Sequence, residues 1–190
     1  MKLILASTSP YRRELLARLR LPFEVLTPQV DETPLVNETP ARSALRLSIV
    51  KARVPNPSQA AIFIGSDQAA ELDGLRLSKP GNFENAVRQL AMMRGKEVVF
   101  HTGVSVYNSA TLNVQSCLVP YTVLFRDYSD AEIHSYLAKE QPYGCAGSAK
   151  VEGLGITLIK KMWGDDPTAL IGLPLIALSE MLRHEGVNIL

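Results

Sequence analysis

Arg12, Arg13, Lys51 and Lys79 are the residues of this 190-residue chain best placed to grip linked phosphates. Two acidic clusters lie between them: Asp31-Glu32 in a proline-flanked stretch, and Asp67 in Gly65-Ser66-Asp67-Gln68, after an apolar run. Each has an ordinary structural explanation taken singly. Together they suit one chemistry, hydrolysis of a phosphoanhydride. The cations would neutralise the phosphates, and a rigidly held Asp67 would activate water. Asp67 and Glu32 are suited to a hard divalent cation, since Mg²⁺ takes carboxylate oxygens and shares its shell with substrate phosphates.

The N-terminal segment supplies a second reason to expect an anion. Leu3 to Ala6 reads as a buried strand, Ser7-Thr8-Ser9 as a hydroxyl-rich turn, and Pro10 as the first residue of a helix. Ser9 is placed to cap that helix. Free amides and the positive end of the helix dipole make an anion site, and the arginines of the first turns are disfavoured unless an anion is present.

The elements that must position these residues alternate between helix and strand. Helical spacing runs from Pro10 to Arg20 and from Ala41 to about Arg53, where Pro55 and Pro57 break it. Phe23 to Leu26 reads as a strand, and Ala60 to Gly65 as a central strand that ends at Asp67-Gln68. Asp73-Gly74 marks a hairpin, and Asn82 caps a helix to about Met93. Two long alternating strands, Glu97 to Tyr107 and Asn113 to Phe125, follow. Ser129-Asp130-Ala131-Glu132 is a capping box for a helix to about Lys139, Leu154 to Ile159 reads as a strand, and Pro174 to Arg183 as a closing helix. The order implies one α/β domain over residues 1–190, with a mixed sheet and flanking helices.

Composition narrows the function classes. A formal net charge of +1 argues against nucleic-acid binding through bulk electrostatics, so any polyanion must be small and met locally. No apolar run approaches the roughly 20 residues of a membrane span, and the N-terminus does not read as a signal peptide, so a soluble cytoplasmic protein is expected. Cys117 and Cys145 are too few for a disulfide framework and are expected to be core or near-core thiols. His101, His134 and His184 show no metal-ligand spacing, and neither common glycine-rich nucleotide loop is present.

The motifs taken together resemble the Maf family of nucleoside triphosphate pyrophosphatases. The family's opening S-x-S-P-R-R appears as Ser7-Thr8-Ser9-Pro10-Tyr11-Arg12. Asp31-Glu32-Thr33, Lys51, Gly65-Ser66-Asp67-Gln68 and Lys79-Pro80 follow in the family's order. Gly144-Cys145-Ala146-Gly147-Ser148, Glu152-Gly153 and Gly172-Leu173-Pro174 come later. The resemblance implies an elongated mixed α/β fold similar to inosine triphosphate pyrophosphatases, usually a homodimer. It also implies cleavage of a nucleoside triphosphate to monophosphate and pyrophosphate with a divalent cation, Mg²⁺ or Mn²⁺. By the same resemblance Asp67 is the general base, Ser7, Arg12, Lys51 and Lys79 bind phosphate, and Glu32 takes the acidic metal or water position.

One departure from the motif bears on the base. Tyr11 replaces the first arginine, and Gln68 and Glu152 stand where the branch cleaving thymidine and uridine triphosphates carries Thr and Gln. That combination is similar to the branch acting on 7-methyl-GTP. Methylation at N7 makes guanine cationic, which an aromatic face attracts and an arginine repels. A carboxylate at Glu152 can accept the guanine N1 and N2 hydrogens, a donor pair that uracil and thymine lack. Pyrimidine-specific hydrolysis and a nucleotide-sensing role in septum formation are the other readings the sequence leaves open.

Overall fold

The computed structural model describes residues 1–53 and 60–190, so the expected helix breakers Pro55 and Pro57 lie outside the described residues. Its centre is a seven-stranded mixed sheet. The strands are β1 (Lys2–Ala6), β2 (Glu24–Leu26), β3 (Ala61–Leu72), β4 (Leu75–Leu77), β5 (Glu97–Asn108), β6 (Asn113–Phe125) and β7 (Ile159–Trp163). They run in the order β2-β1-β3-β5-β6-β7, with β4 folded back onto β3. β1 is parallel to both its neighbours, and the remaining pairs are antiparallel. The helices are α1 (Pro10–Ala17), α2 (Pro40–Arg53), α3 (Phe83–Met93), α4 (Asp130–Glu140), α5 (Pro167–Ile171) and α6 (Leu175–His184).

Local signals account for most of these limits. Ser9 accepts from the Arg12 amide and Pro10 opens α1. The periodicity had carried this helix to Arg20, but bonds from Arg18 to Leu15 and Leu19 to Leu16 tighten its end, and Arg20 turns left-handed. Asp73 and Gly74 both have positive φ, as the expected type I′ turn requires. The Ser129–Glu132 capping box is complete in both directions.

Further expectations change. β3 does not stop at Gly65 but continues to Leu72, so Asp67 lies within a strand. It does so because β5 pairs with β3 continuously from Ile62 to Glu71, leaving those polar residues inside a ladder. The strand expected over Leu154 to Ile159 is a short 3-10 helix over Leu154–Leu158, and strand β7 starts only at Ile159 and runs to Trp163. The amides at the start of that helix are taken locally: Gly153 and Gly155 donate to the Lys150 carbonyl and Leu154 to Glu140. Helix α5 was not anticipated, although Asp166-Pro167-Thr168 carries a cap and an N-terminal proline.

The two faces of the sheet differ. Apolar clusters fill one face, where β1, β3 and β5 pack on α1 and α6, and where β5 and β6 pack on α3 and α4. Helix α2 lies on the opposite face across two glycines. A Cβ on Gly65 would fall 2.2 Å from the Ser48 carbonyl oxygen, and one on Gly103 would fall 2.4 Å from that of Ala44. Ser48 and Ser105 hydroxyls bond at 2.7 Å across the same contact. This close approach brings Lys51 of α2 down to Asp67 of β3. Gly65→Ala should therefore push α2 off the sheet and cost about 1–3 kcal/mol. Gly144→Ala, where nothing lies within 4 Å of the new Cβ, should stay within about 0.5 kcal/mol. Urea unfolding of the two variants checks the contrast.

Candidate active site

β1 ends where Ala6 pairs with Gly65, and β4 begins pairing at Ala70, so the edge of β3 from Ser66 to Ala69 is open between them. The Ser7-Thr8-Ser9 turn enters at this gap. A cavity of about 550 Å³ lies over it, within the range of small-molecule sites. Ser7, Tyr11, Arg12, Glu32, Lys51, Asp67, Gln68, Lys79 and Glu152, all expected from the sequence to belong to the site, line this one cavity, whereas Arg13, expected with the phosphate-gripping cations, is not among its lining residues. Arg13 faces a second, shallower depression beside Leu21, Phe23 and Val25, because it follows Arg12 around the helix.

Lys51 is the centre of the polar network. Its buried Nζ donates to Asp67 Oδ1 at 2.7 Å and to Glu32 Oε1 at 2.7 Å. Burial pushes the Glu32 pKa up, but the Lys51 hydrogen bond and charge, with Lys79 and Arg12, outweigh it and hold the group below its ordinary value. Arg12 donates from Nε to the Gly172 carbonyl at 2.8 Å, and that carbonyl also accepts from Ser66 Oγ at 2.9 Å. Gly172 has φ +124°, and Arg12 Nε lies 3.5 Å from where a Cβ would be. Gly172-Leu173-Pro174 therefore positions the Arg12 guanidinium. Burial pulls the Arg12 pKa down, while Asp67 and Glu32 pull it up.

The far end of the cavity is built differently. Tyr11 sits against Cys145 near Lys150 and Glu152, and burial raises its phenol, with Cys145 adding to the shift. Buried Phe100 contributes an apolar wall. Glu152 is exposed at the rim. Gln68 points to the face opposite Asp67 and donates through Nε2 to Thr102 Oγ1 and to the Ala169 and Leu170 carbonyls. Its amide thus fixes the end of α5 beside the cavity. Of the cysteines expected near the core, both are half-buried, and Cys145 lines the cavity.

Two residues of this region were missed from the sequence. Arg76 of β4 lines the cavity, its Nη1 donating to Ser43 Oγ at 2.8 Å, with no carboxylate partner among the described residues. The hairpin register, Glu71 opposite Arg76, puts it on the Asp67 face, and that alternation was a readable signal. Arg46 of α2 holds the acidic loop. It donates to both Glu38 carboxylate oxygens, at 2.6 and 2.8 Å, and to the Thr33 carbonyl at 3.2 Å. That contact anchors the residue next to Glu32.

The donor set fits the expected divalent cation. Asp67 and Glu32 each give one carboxylate oxygen to the Lys51 ammonium, and the second oxygen of each is the donor that would hold a hard cation such as Mg²⁺ or Mn²⁺ beside the phosphates. Among the described residues, no group of three or more His, Cys, Asp or Glu forms an all-protein metal cage.

Comparison with known proteins covers nearly the whole chain. The chain matches the family described as Maf-like protein over residues 2–185. The chain belongs to the Maf family. Several relatives bear the name 7-methyl-GTP pyrophosphatase. That from Methylobacillus flagellatus is 60% identical over 189 residues, covering 99% of this chain and 98% of the relative. That from Thiobacillus denitrificans is 58% identical over 189 residues, covering 99% and 94%. That from Paraburkholderia xenovorans is 54% identical over 193 residues, covering 100% and 94%. The α/β architecture with a mixed seven-stranded sheet agrees with the Maf membership.

The loop anchor has a pH signature. Hydrogen bonds from Arg46 hold the Glu38 pKa down to about 2, and Arg126 does the same for Glu132, also about 2. A carboxyl depressed in the folded state adds stability above its unfolded pKa and loses it as pH falls through the folded one. Stability should therefore drop between pH 4.5 and about 2. In Arg46→Met the Glu38 share is absent, so the gap between its melting temperature and the parent's should close across that window.

Proposed function

We propose that this Maf protein hydrolyses 7-methyl-GTP to 7-methyl-GMP and pyrophosphate, removing a modified nucleotide from the pool. The observation that carries the reading is the polarity of one cavity. Lys51, Asp67 and Glu32 cluster there with the charges of Arg12 and Lys79, Tyr11 groups with Cys145, Lys150 and Glu152, and Arg76 and Phe100 line the same cavity. A triphosphate fits the first group and a flat cationic base the second.

In this reading Ser7, Arg12, Lys51 and Lys79 bind the phosphates, and Arg76 adds a further guanidinium. Arg12 and Arg76 arrive already held by Gly172 and Ser43, so little freedom is lost when phosphate binds. Asp67 is the base. It sits on a central strand with its Oδ1 on Lys51, which fixes the carboxyl group in place. Water attacks the α-phosphorus and gives its proton to Asp67. The α–β anhydride bond breaks, and pyrophosphate leaves on the cationic side chains. A divalent cation held by Asp67 and Glu32 would draw negative charge off the phosphate oxygens as the bond breaks.

Base selection rests on the second group. Tyr11 offers its ring to the N7-methylated purine, and an aromatic face is worth about 0.5–2 kcal/mol to such a cation. Glu152 accepts the guanine N1 and N2 hydrogens, hydrogen bonds to a charged group worth about 1.5–3 kcal/mol that a pyrimidine cannot form. Gln68 acts through the end of α5. The enzyme works in this reading as a cytoplasmic homodimer.

The test is a panel of nucleoside triphosphates with Mg²⁺, scored for pyrophosphate release, with Asp67→Asn alongside. The wild-type protein should prefer 7-methyl-GTP over uridine and thymidine triphosphates by roughly tenfold to a hundredfold. Asp67→Asn should lose about a hundredfold or more in turnover while still binding the nucleotide. A preference for pyrimidines would place the chain with the sister branch. A variant that lacks turnover yet keeps its effect on cell division would favour the sensing role.

A further inference from the structure

We propose that Glu140 is a positioning residue for base selection, holding the Lys150 ammonium away from Glu152 and anchoring the turn that carries Glu152. The proposal rests on the reading of Glu152 as the base acceptor. Glu140 is the last residue of α4, and its side chain is only 11% exposed. One carboxylate oxygen accepts from Lys150 Nζ at 2.7 Å and the other from the Leu154 amide at 2.8 Å. The carboxylate thus grips the chain on both sides of Glu152. Contact is close enough that a Cβ on Gly153 would fall 2.7 Å from Glu140 Oε2, so a side chain beside Glu152 would push the Glu140 carboxylate out of place. Tyr136 of α4 adds to the grip, its hydroxyl donating to the Ser148 carbonyl and accepting from the Lys150 amide at 3.0 Å.

Lys150 makes this grip consequential. Its charge reaches both Tyr11 and Glu152. Released from Glu140, the ammonium would have two effects at the base end. It would neutralise the Glu152 carboxylate by pairing with it, and it would repel the methylated purine that Tyr11 is placed to attract. Bound to Glu140, its charge is offset by the carboxylate before it reaches either group. Glu140 itself sits below the ordinary carboxylate range, chiefly through the Lys150 hydrogen bond, and Lys150 is raised by the same bond.

The experiment is steady-state hydrolysis of 7-methyl-GTP and UTP by Glu140→Gln, with and without Lys150→Met, and by Glu152→Gln. Glutamine keeps an acceptor for Leu154 but gives up the charge on Lys150. Glu140→Gln should raise KM for 7-methyl-GTP about tenfold, with kcat within about twofold because Asp67 is untouched. Adding Lys150→Met should bring KM back to within about threefold of the parent, since no stray ammonium remains. Glu140→Asp, which keeps the charge but withdraws it by one methylene, is the second variant. It should show a smaller rise, reversed by the same Lys150→Met change.

A double variant as poor as Glu140→Gln, with Glu152→Gln lowering the preference for 7-methyl-GTP, would overturn the proposal alone. A Glu152→Gln protein with unchanged preference would overturn the base-acceptor reading and the proposal with it.

Discussion

The ammonium of Lys51, shared between Asp67 and Glu32, is the contact on which the rest of the site depends. It joins three separately folded pieces: a helix, a central strand and a loop. A buried ammonium is costly without a partner, as is a buried carboxylate, so Lys51 and Asp67 depend on each other, while the more exposed Glu32 adds a second carboxylate to the same ammonium. The glycines at 65 and 103 exist in this structural sense to let α2 descend far enough for that meeting. Arg46 secures the third piece by tying the loop back to α2. The arrangement leaves Arg12, Arg76 and Lys79 without carboxylate partners among the described residues, facing the same space. A cavity with unpaired cations around a bridged carboxylate pair favours a small polyanion.

Sheet topology explains why the cavity lies where it does. A parallel strand that stops early and a hairpin strand that starts late leave a stretch of central strand with an open edge. The serine turn after β1 enters that opening, and the start of α1 brings Arg12 beside the Asp67 and Glu32 charges and Tyr11 beside Cys145 and Glu152. One short segment, residues 7–12, therefore contributes to both phosphate and base binding in the proposed reading. Changing Tyr11 beside Arg12 alters the base end without moving the phosphate end, because the side chains leave the helix in different directions.

Much of this was legible in the sequence, for physical reasons. Ser9-Pro10, Asp73-Gly74, Asn82 and Ser129–Glu132 specify their turns and caps through short-range hydrogen bonds and allowed φ values, which local residues alone decide. The convergence of Ser7, Arg12, Lys51, Asp67 and Lys79 was anticipated from motif order, and all of them line one cavity. What local pattern does not contain is pairing partner. Gly-Ser-Asp-Gln looks like a strand terminus because its residues are small and polar, yet the β5 ladder runs straight through it. Leu154–Leu158 looks like a strand because it is apolar, but Lys150 and Glu140 take its leading amides. Arg76 and Arg46 escaped notice because their importance comes from the hairpin register and a loop–helix contact, not from a recognisable run.

The most direct measurement follows the oxygen. Turnover of 7-methyl-GTP in water enriched in the heavy oxygen isotope, with products resolved by mass spectrometry, identifies the phosphorus that water attacks. Attack at the α-phosphorus beside Asp67 predicts label in 7-methyl-GMP and none in pyrophosphate. Label in the pyrophosphate, or release of single phosphates from the tail, would contradict it.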